Sequence, residues 1–388
     1  MNIDKRLRDW PKWPVFGQKE VKAVKNVVKS NQLYAATQVK EFESEFAEYQ
    51  NCKFAVGVGN ATQGLHLALA SANIGRGDEV IVTACSWISS ASAILMQNAV
   101  PVFVDIESES LGLCPIDVEK KINNNTKAII LVHILGYPAK VELIAKIAKK
   151  YNLILIEDAS HAPGAEVNGK KIGTFGDLGV FSLHQRKAIS TGDGGIICTD
   201  NFDLASKLSR LRSFGDSDLS YNYRMTEFAA TLGRIGLTNL DKQNAERIWA
   251  AEYLQKKLSG LAWVKVRMPQ VNEKSVYHAV ALELKIEDDK SVKILEELVS
   301  CGVPMRKLFS PLNRHPHFSS ARRPARGYPW LDSDYKGVMK GVSYENLDLP
   351  ITYKFCYGKI LELYTHPGIT KKHLDAFAKK LVSVYSNY

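Results

Sequence analysis

The sequence predicts an α/β protein with a mostly parallel central sheet, helices on both faces of that sheet, and a smaller C-terminal α+β domain. Three observations predict it. Short apolar runs that do not alternate with polar residues, such as AIILVHI, recur along the first half, as strands covered on both faces require. Each run leads through a polar or glycine-containing turn into a helical pattern, which is the rhythm of parallel sheets. At 388 residues the chain exceeds the size at which one core stops growing, so two units are expected, at 1–240 and 241–388.

In chain order, apolar positions recur at helical spacing from about Val21 to Tyr49, KFAVGVG reads as the first strand, and NATQ opens the helix GLHLALASA. EVIVTAC then leads into SWISSASAILMQ, PVFVDI into DVEKKI, AIILVHI into VELIAKIAKKYN, and LILIEDA into a glycine-containing loop. LGVFSLH and GGIICTD add two strands. Helical spacing from Asp203 to Leu211 and from Glu227 to about Leu258 marks the change of pattern. The smaller domain then holds the strand AVALELK and helices at KSVKILEELVSCG and KKHLDAFAKKLVSVY.

Composition narrows the function classes. Hydrophobic residues at 45% and charged residues at 24% fit a packed globular chain rather than a disordered one. The opening MNIDKRLRDWPKWP lacks the apolar core of a signal peptide, and no stretch holds eighteen uninterrupted apolar residues; the expectation is a cytoplasmic protein without a membrane partner. The six cysteines lie far apart with no CxxC pair, which predicts reduced thiols and no metal site. A net charge of +10 includes the basic run RHPHFSSARRPAR, Arg314 to Arg326. Its interspersed Pro and Ser oppose a nucleic-acid-reading helix, so a small anionic ligand or a solvated loop is expected and nucleic acid is not.

In open parallel sheets ligands bind beyond the carboxyl ends of the strands. After the first strand come Asn60, Ala61, Thr62 and Gln63, whose free amides at a helix start suit a phosphate. After the second comes Trp87, a flat face for a planar ring. The apolar strand LILIE ends in Asp158, a carboxylate that needs a cationic partner there, and His161 follows. Ser182 ends LGVFS, then Lys187 precedes Gly192, Gly194 and Gly195. Each has an ordinary alternative: a helix cap, a core aromatic, a salt bridge, a buried histidine, or one solvated lysine among 51 Lys and Arg. The ordered set matches what pyridoxal 5'-phosphate needs: a lysine for its aldehyde, an acid for its pyridine nitrogen, an aromatic for its ring, and hydroxyls and amides for its phosphate.

The stretches AVGVGNATQGLHLAL, GDEVIVTACSWISSASAIL, IEDASHAPGA, FSLHQRKAISTGDGG and YNYRMTEFAATLG, in this order, resemble the DegT family of sugar aminotransferases, which share the aspartate aminotransferase fold. The resemblance implies that Lys187 is the Schiff-base lysine, Asp158 the partner of the pyridine nitrogen and His161 a contact near the ring hydroxyl. It implies that Trp87 stacks on the ring, that Ala61, Thr62 and Ser182 hold the phosphate, and that Asn222 reaches the phosphate of a neighbouring subunit's cofactor. A homodimer with shared active sites follows from that last role. The chain departs from the family pattern at Ala61, usually Gly, and at Asp193, usually Glu; Lys187 sets it apart from relatives that carry histidine there and act as dehydratases.

The expected reaction moves an amino group from an amino acid, L-glutamate by resemblance, to a keto group of a nucleotide-linked sugar. Arg306, Lys307, Arg314, Arg322 and Arg323 are the cations that could meet a diphosphate. A keto cyclitol is the alternative acceptor, because the WPKWP opening and the basic loop also resemble the cyclitol aminotransferase branch. A noncatalytic binding or regulatory protein is a third reading.

Overall fold

Seven apolar runs form one sheet in the computed structural model, which describes residues 4–214, 219–318 and 328–388. The strands are β1 (Phe54–Val58), β2 (Glu79–Thr83), β3 (Val100–Val104), β4 (Thr126–Val132), β5 (Ile154–Asp158), β6 (Leu178–Ser182) and β7 (Gly195–Thr199), ordered β1-β7-β6-β5-β4-β2-β3. Every residue of β2, β3, β6 and β7 is buried, which explains why these runs show no alternation. Neighbouring strands run parallel, except at β7, which runs antiparallel to both β6 and β1. Helices join the strands from β1 through β5, β5 reaches its parallel neighbour β6 through a longer segment without a helix, and β6 turns back into β7 through a shorter one. The ends of β1, β2, β4, β5 and β6 therefore open on one edge, together with the start of β7.

A second, antiparallel sheet joins β8 (Val264–Val266), β9 (Val280–Leu284), β10 (Met305–Lys307) and β11 (Ile360–Leu363) in the order β8-β9-β11-β10. Helices Asp288–Ser300 and Lys371–Tyr385 follow β9 and β11, burying Leu298 and Phe377 among others. The helix Glu227–Leu258 passes straight through position 240. The start of the chain lies beside its last helix, with the buried Trp10 edge-on to Phe377 at 6.2 Å, so spatial neighbourhood does not follow sequence order here.

The helical stretch around Val21 to Tyr49 divides into Gln18–Ser30 and Thr37–Gln50. Asn31 ends the first helix in the left-handed conformation, with φ 56°. The buried carboxylate of Glu227 accepts hydrogen bonds from the backbone N–H of Ala36, Gln38 and Val39 at 2.9, 2.7 and 3.1 Å, so a distant residue caps the second helix. Among the described residues no helix is long and apolar enough to cross a membrane.

Candidate active site

A cavity of about 670 Å³ lies at the edge where the strand ends converge, closed on its other side by residues of the second sheet. From the large sheet it takes Asn60 to Gln63 after β1, Ser86, Trp87 and Ser89 after β2, Asp158 and His161 at the end of β5, and Ser182, His184, Arg186 and Lys187 after β6. His278, Arg306, Phe309 and Tyr364 line it from the second sheet and its loops.

The helix Ala61–Ser71 begins at the cavity wall. Its cap Asn60 accepts the N–H of Gln63 at 2.9 Å, and among the described residues the N–H groups of Ala61 and Thr62 have no partner. Thr62 Oγ1 lies 2.7 Å from Ser89 Oγ, and the buried Ser182 stands across from them at the end of β6. These amides and hydroxyls form an anion cradle at a helix N-terminus. Gly195 makes it possible, since a Cβ there would lie 2.6 Å from the Asn60 carbonyl carbon and 2.8 Å from the Ala61 nitrogen.

Strand alternation separates the two acids of LILIED. Glu157 turns away from the cavity, where Phe175, Gly176 and Gly173 donate N–H to it at 2.6, 2.7 and 2.8 Å. Asp158 turns into the cavity, only 5% exposed, with Ser90 Oγ donating at 2.8 Å and the Ser160 N–H at 3.2 Å. No cation among the described residues forms an ion pair with Asp158. A buried carboxylate in that condition suits a protonated ring nitrogen brought by a ligand.

Lys187 projects from the segment joining β6 to β7. Removal from water lowers its amine to about pKa 8; the charge of Asp158 works against this shift and that of Arg306 reinforces it. The reinforcing cation is Arg306, distant in sequence. His161 accepts the Leu135 N–H at Nδ1, 3.2 Å away, so its neutral ring carries the proton on Nε2. Burial, and then the charges of Lys187 and Arg306, push its pKa well down and keep the ring neutral. Its face lies on His278, with centroids 4.2 Å apart and planes 8° from parallel.

Of the other expected residues, Trp87 lines the cavity, 59% exposed and edge-on to Phe309. Arg306 lines it too, its guanidinium 4.7 Å over Phe309 and paired with the buried Glu362. Lys307 is outside the lining, because neighbouring strand residues face opposite ways. Arg314 is outside as well, donating to Tyr357 Oη at 2.6 Å and lying over Tyr353. Arg322 and Arg323 lie outside the described residues. Asn222 does not line the cavity; Arg224 donates to its Oδ1 at 3.0 and 3.1 Å.

Sequence reading missed Ser89, Ser90, His278, Phe309, Glu362 and Tyr364. The hydroxyl-rich SWISS stretch after β2 carried a local signal for the two serines. The other four come from the second sheet and its loops, and only tertiary packing brings them to Lys187.

Residues 14–348 match the DegT/DnrJ/EryC1/StrS aminotransferase family. The chain belongs to this family. It is a pyridoxal phosphate-dependent enzyme of the sugar aminotransferase class. Within the family, the GDP-perosamine synthase of Caulobacter vibrioides is 32% identical over 348 residues, 87% of each chain. The L-glutamine:2-deoxy-scyllo-inosose aminotransferase of Streptomyces kanamyceticus is 32% identical over 82% of this chain and 81% of that protein. Among solved structures, an aminotransferase from Psychrobacter cryohalolentis superposes with a TM-score of 0.88 at 26% identity, covering 97% of this chain and 99% of that one. The donor set fits the family's cofactor at both ends, with an anion cradle on one side and an acid lacking an ion pair on the other.

Proposed function

We propose that this family member transfers the amino group of L-glutamate to a keto group of a nucleotide-linked sugar. The observation that carries the transfer chemistry is the meeting, in one cavity, of an amine lowered to about pKa 8 with the buried Asp158. Pyridoxal phosphate supplies, when bound, an electron-accepting ring that weakens the donor's α-C–H bond. The amides of Ala61 and Thr62 and the hydroxyls of Thr62 and Ser182 would hold its phosphate. Asp158 would pair with its protonated ring nitrogen, Trp87 would cover its ring, and the Nε2–H of His161 would face its hydroxyl. The Nζ of Lys187 would bind its aldehyde and, when free, would move the proton at the α-carbon of the donor and of the aminated acceptor.

Arg306 supports an anionic group at the reacting end, where a donor carboxylate must lie close to Lys187. The sugar nucleotide reading draws on the likeness to GDP-perosamine synthase. The likeness to an inosose aminotransferase, at equal identity, favours a keto cyclitol as the second reading. A panel of nucleotide keto sugars and keto cyclitols, followed by 2-oxoglutarate release from L-glutamate, decides between them; turnover with cyclitols alone overturns the sugar assignment. Lys187→Ala is expected to abolish turnover, and full activity in that variant would sink the mechanism.

A further inference from the structure

The tryptophans of the WPKWP opening reach the backbone of two residues that line the cavity. The Trp13 indole N–H donates to the backbone carbonyl of Lys187 at 2.9 Å, and the Trp10 indole N–H donates to the carbonyl of Tyr364 at 3.0 Å. Lys187 and Tyr364 both line the cavity, one from the large sheet's edge and the other from the end of β11. A single short stretch therefore ties the two walls together.

The attachment acts at a junction, because Lys187 lies between the exposed residues 184–186 and the buried Ala188, Ile189, Ser190 and Thr191. The loop itself is closed by Leu183 N–H to the Gly194 carbonyl, Gln185 N–H to the Gly192 carbonyl and Thr191 N–H to the Leu183 carbonyl, each at 2.9 Å. At Lys187 itself, the backbone N–H bond to the His184 carbonyl is local and fixes no position relative to the core. Trp13 is anchored in turn. Its ring stacks on His366 at 6.4 Å and 20°, and lies 5.2 Å from the guanidinium of Arg247, which is only 4% exposed. Trp10 is buried between His373 and Phe377.

We propose that Trp13 is a positioning residue for the reacting lysine: its indole N–H fixes the Lys187 backbone, and with it the amine, between Asp158 and Arg306. The proposal rests on Lys187 being that lysine. The test is Trp13→Phe in the full-length holoenzyme, which keeps an aromatic ring against His366 and Arg247 but lacks the N–H.

The expected result is a roughly tenfold lower kcat with the acceptor KM within about twofold, as a misplaced reacting group produces. In the cofactor-free protein, amide hydrogen exchange is expected to rise in the peptide covering residues 183–191 and to stay unchanged in the Lys371–Tyr385 helix. Trp10→Phe, whose lost bond ends on Tyr364, should lower kcat by no more than about twofold. The proposal is overturned if Trp13→Phe leaves kcat and the exchange of 183–191 at wild-type values, or if the two variants lose kcat equally. Should Trp13→Phe not fold, Trp13→Tyr faces the same two criteria. Failure of the Lys187 reading stays distinguishable, because Lys187→Ala retains turnover only in that case.

Discussion

Lys187 is defined by its surroundings rather than by its type. An ordinary lysine is protonated up to about pH 10.5, whereas burial beside Arg306 brings this one to about 8. The sign of the consequence is fixed. Only the neutral amine attacks an aldehyde, so capture of pyridoxal phosphate by the cofactor-free protein should rise about tenfold per pH unit below 8 and level off above it. Stopped-flow absorbance of the visible band checks this, and a rise continuing to pH 10 would show an amine of ordinary basicity. Asp158 shows the same dependence on place. Its neighbour Glu157 also carries a buried carboxylate, yet three backbone amides and the side chain of His133 engage it, which makes it a structural residue.

Elements set where these side chains stand. The antiparallel return of β7 brings Gly195 against the first turn of the helix Ala61–Ser71, and a Cβ there would meet backbone that cannot swing aside. Gly195→Ala should therefore weaken pyridoxal phosphate binding more than tenfold and destabilise the fold by about 1–3 kcal/mol, measured by titration of the cofactor-free protein and by denaturation. Unchanged affinity would mean that the cradle does not depend on that contact. Glu227 works at the same scale, since it caps the helix Thr37–Gln50 from the start of another helix. Glu227→Gln keeps the shape and removes the charge, and should cost about 1–3 kcal/mol in urea denaturation with the cofactor's visible spectrum unaltered.

At the scale of the whole molecule, the cavity closes only because the second sheet brings His278, Arg306 and Tyr364 against the strand ends of the first. Asn222 does not line the cavity of its own chain, and we propose that it serves the site of a second copy. Mixing the separately inactive Lys187→Ala and Asn222→Ala chains tests that assembly. Each hybrid dimer would hold one intact site, so random mixing should restore about a quarter of wild-type activity. No recovery after confirmed subunit exchange would place Asn222 outside the partner's site.

The sequence by itself determined the strand and helix order, the burial of the sheet on both faces, and the set Ala61, Thr62, Asp158, Ser182 and Lys187. These are local signals, carried by apolar runs and by the residues directly after them, and the family motifs repeat them in order. Tertiary structure alone decided the antiparallel direction of β7, and that Arg306 enters the cavity while Lys307 and Arg314 do not. It also decided the partners of Lys187: Arg306 from a strand of the second sheet and Trp13 from the start of the chain. The physical reason is range. Hydrophobic periodicity and turn chemistry act over a few residues, whereas desolvation, charge proximity and a fixing hydrogen bond depend on atoms that only the packed fold brings together.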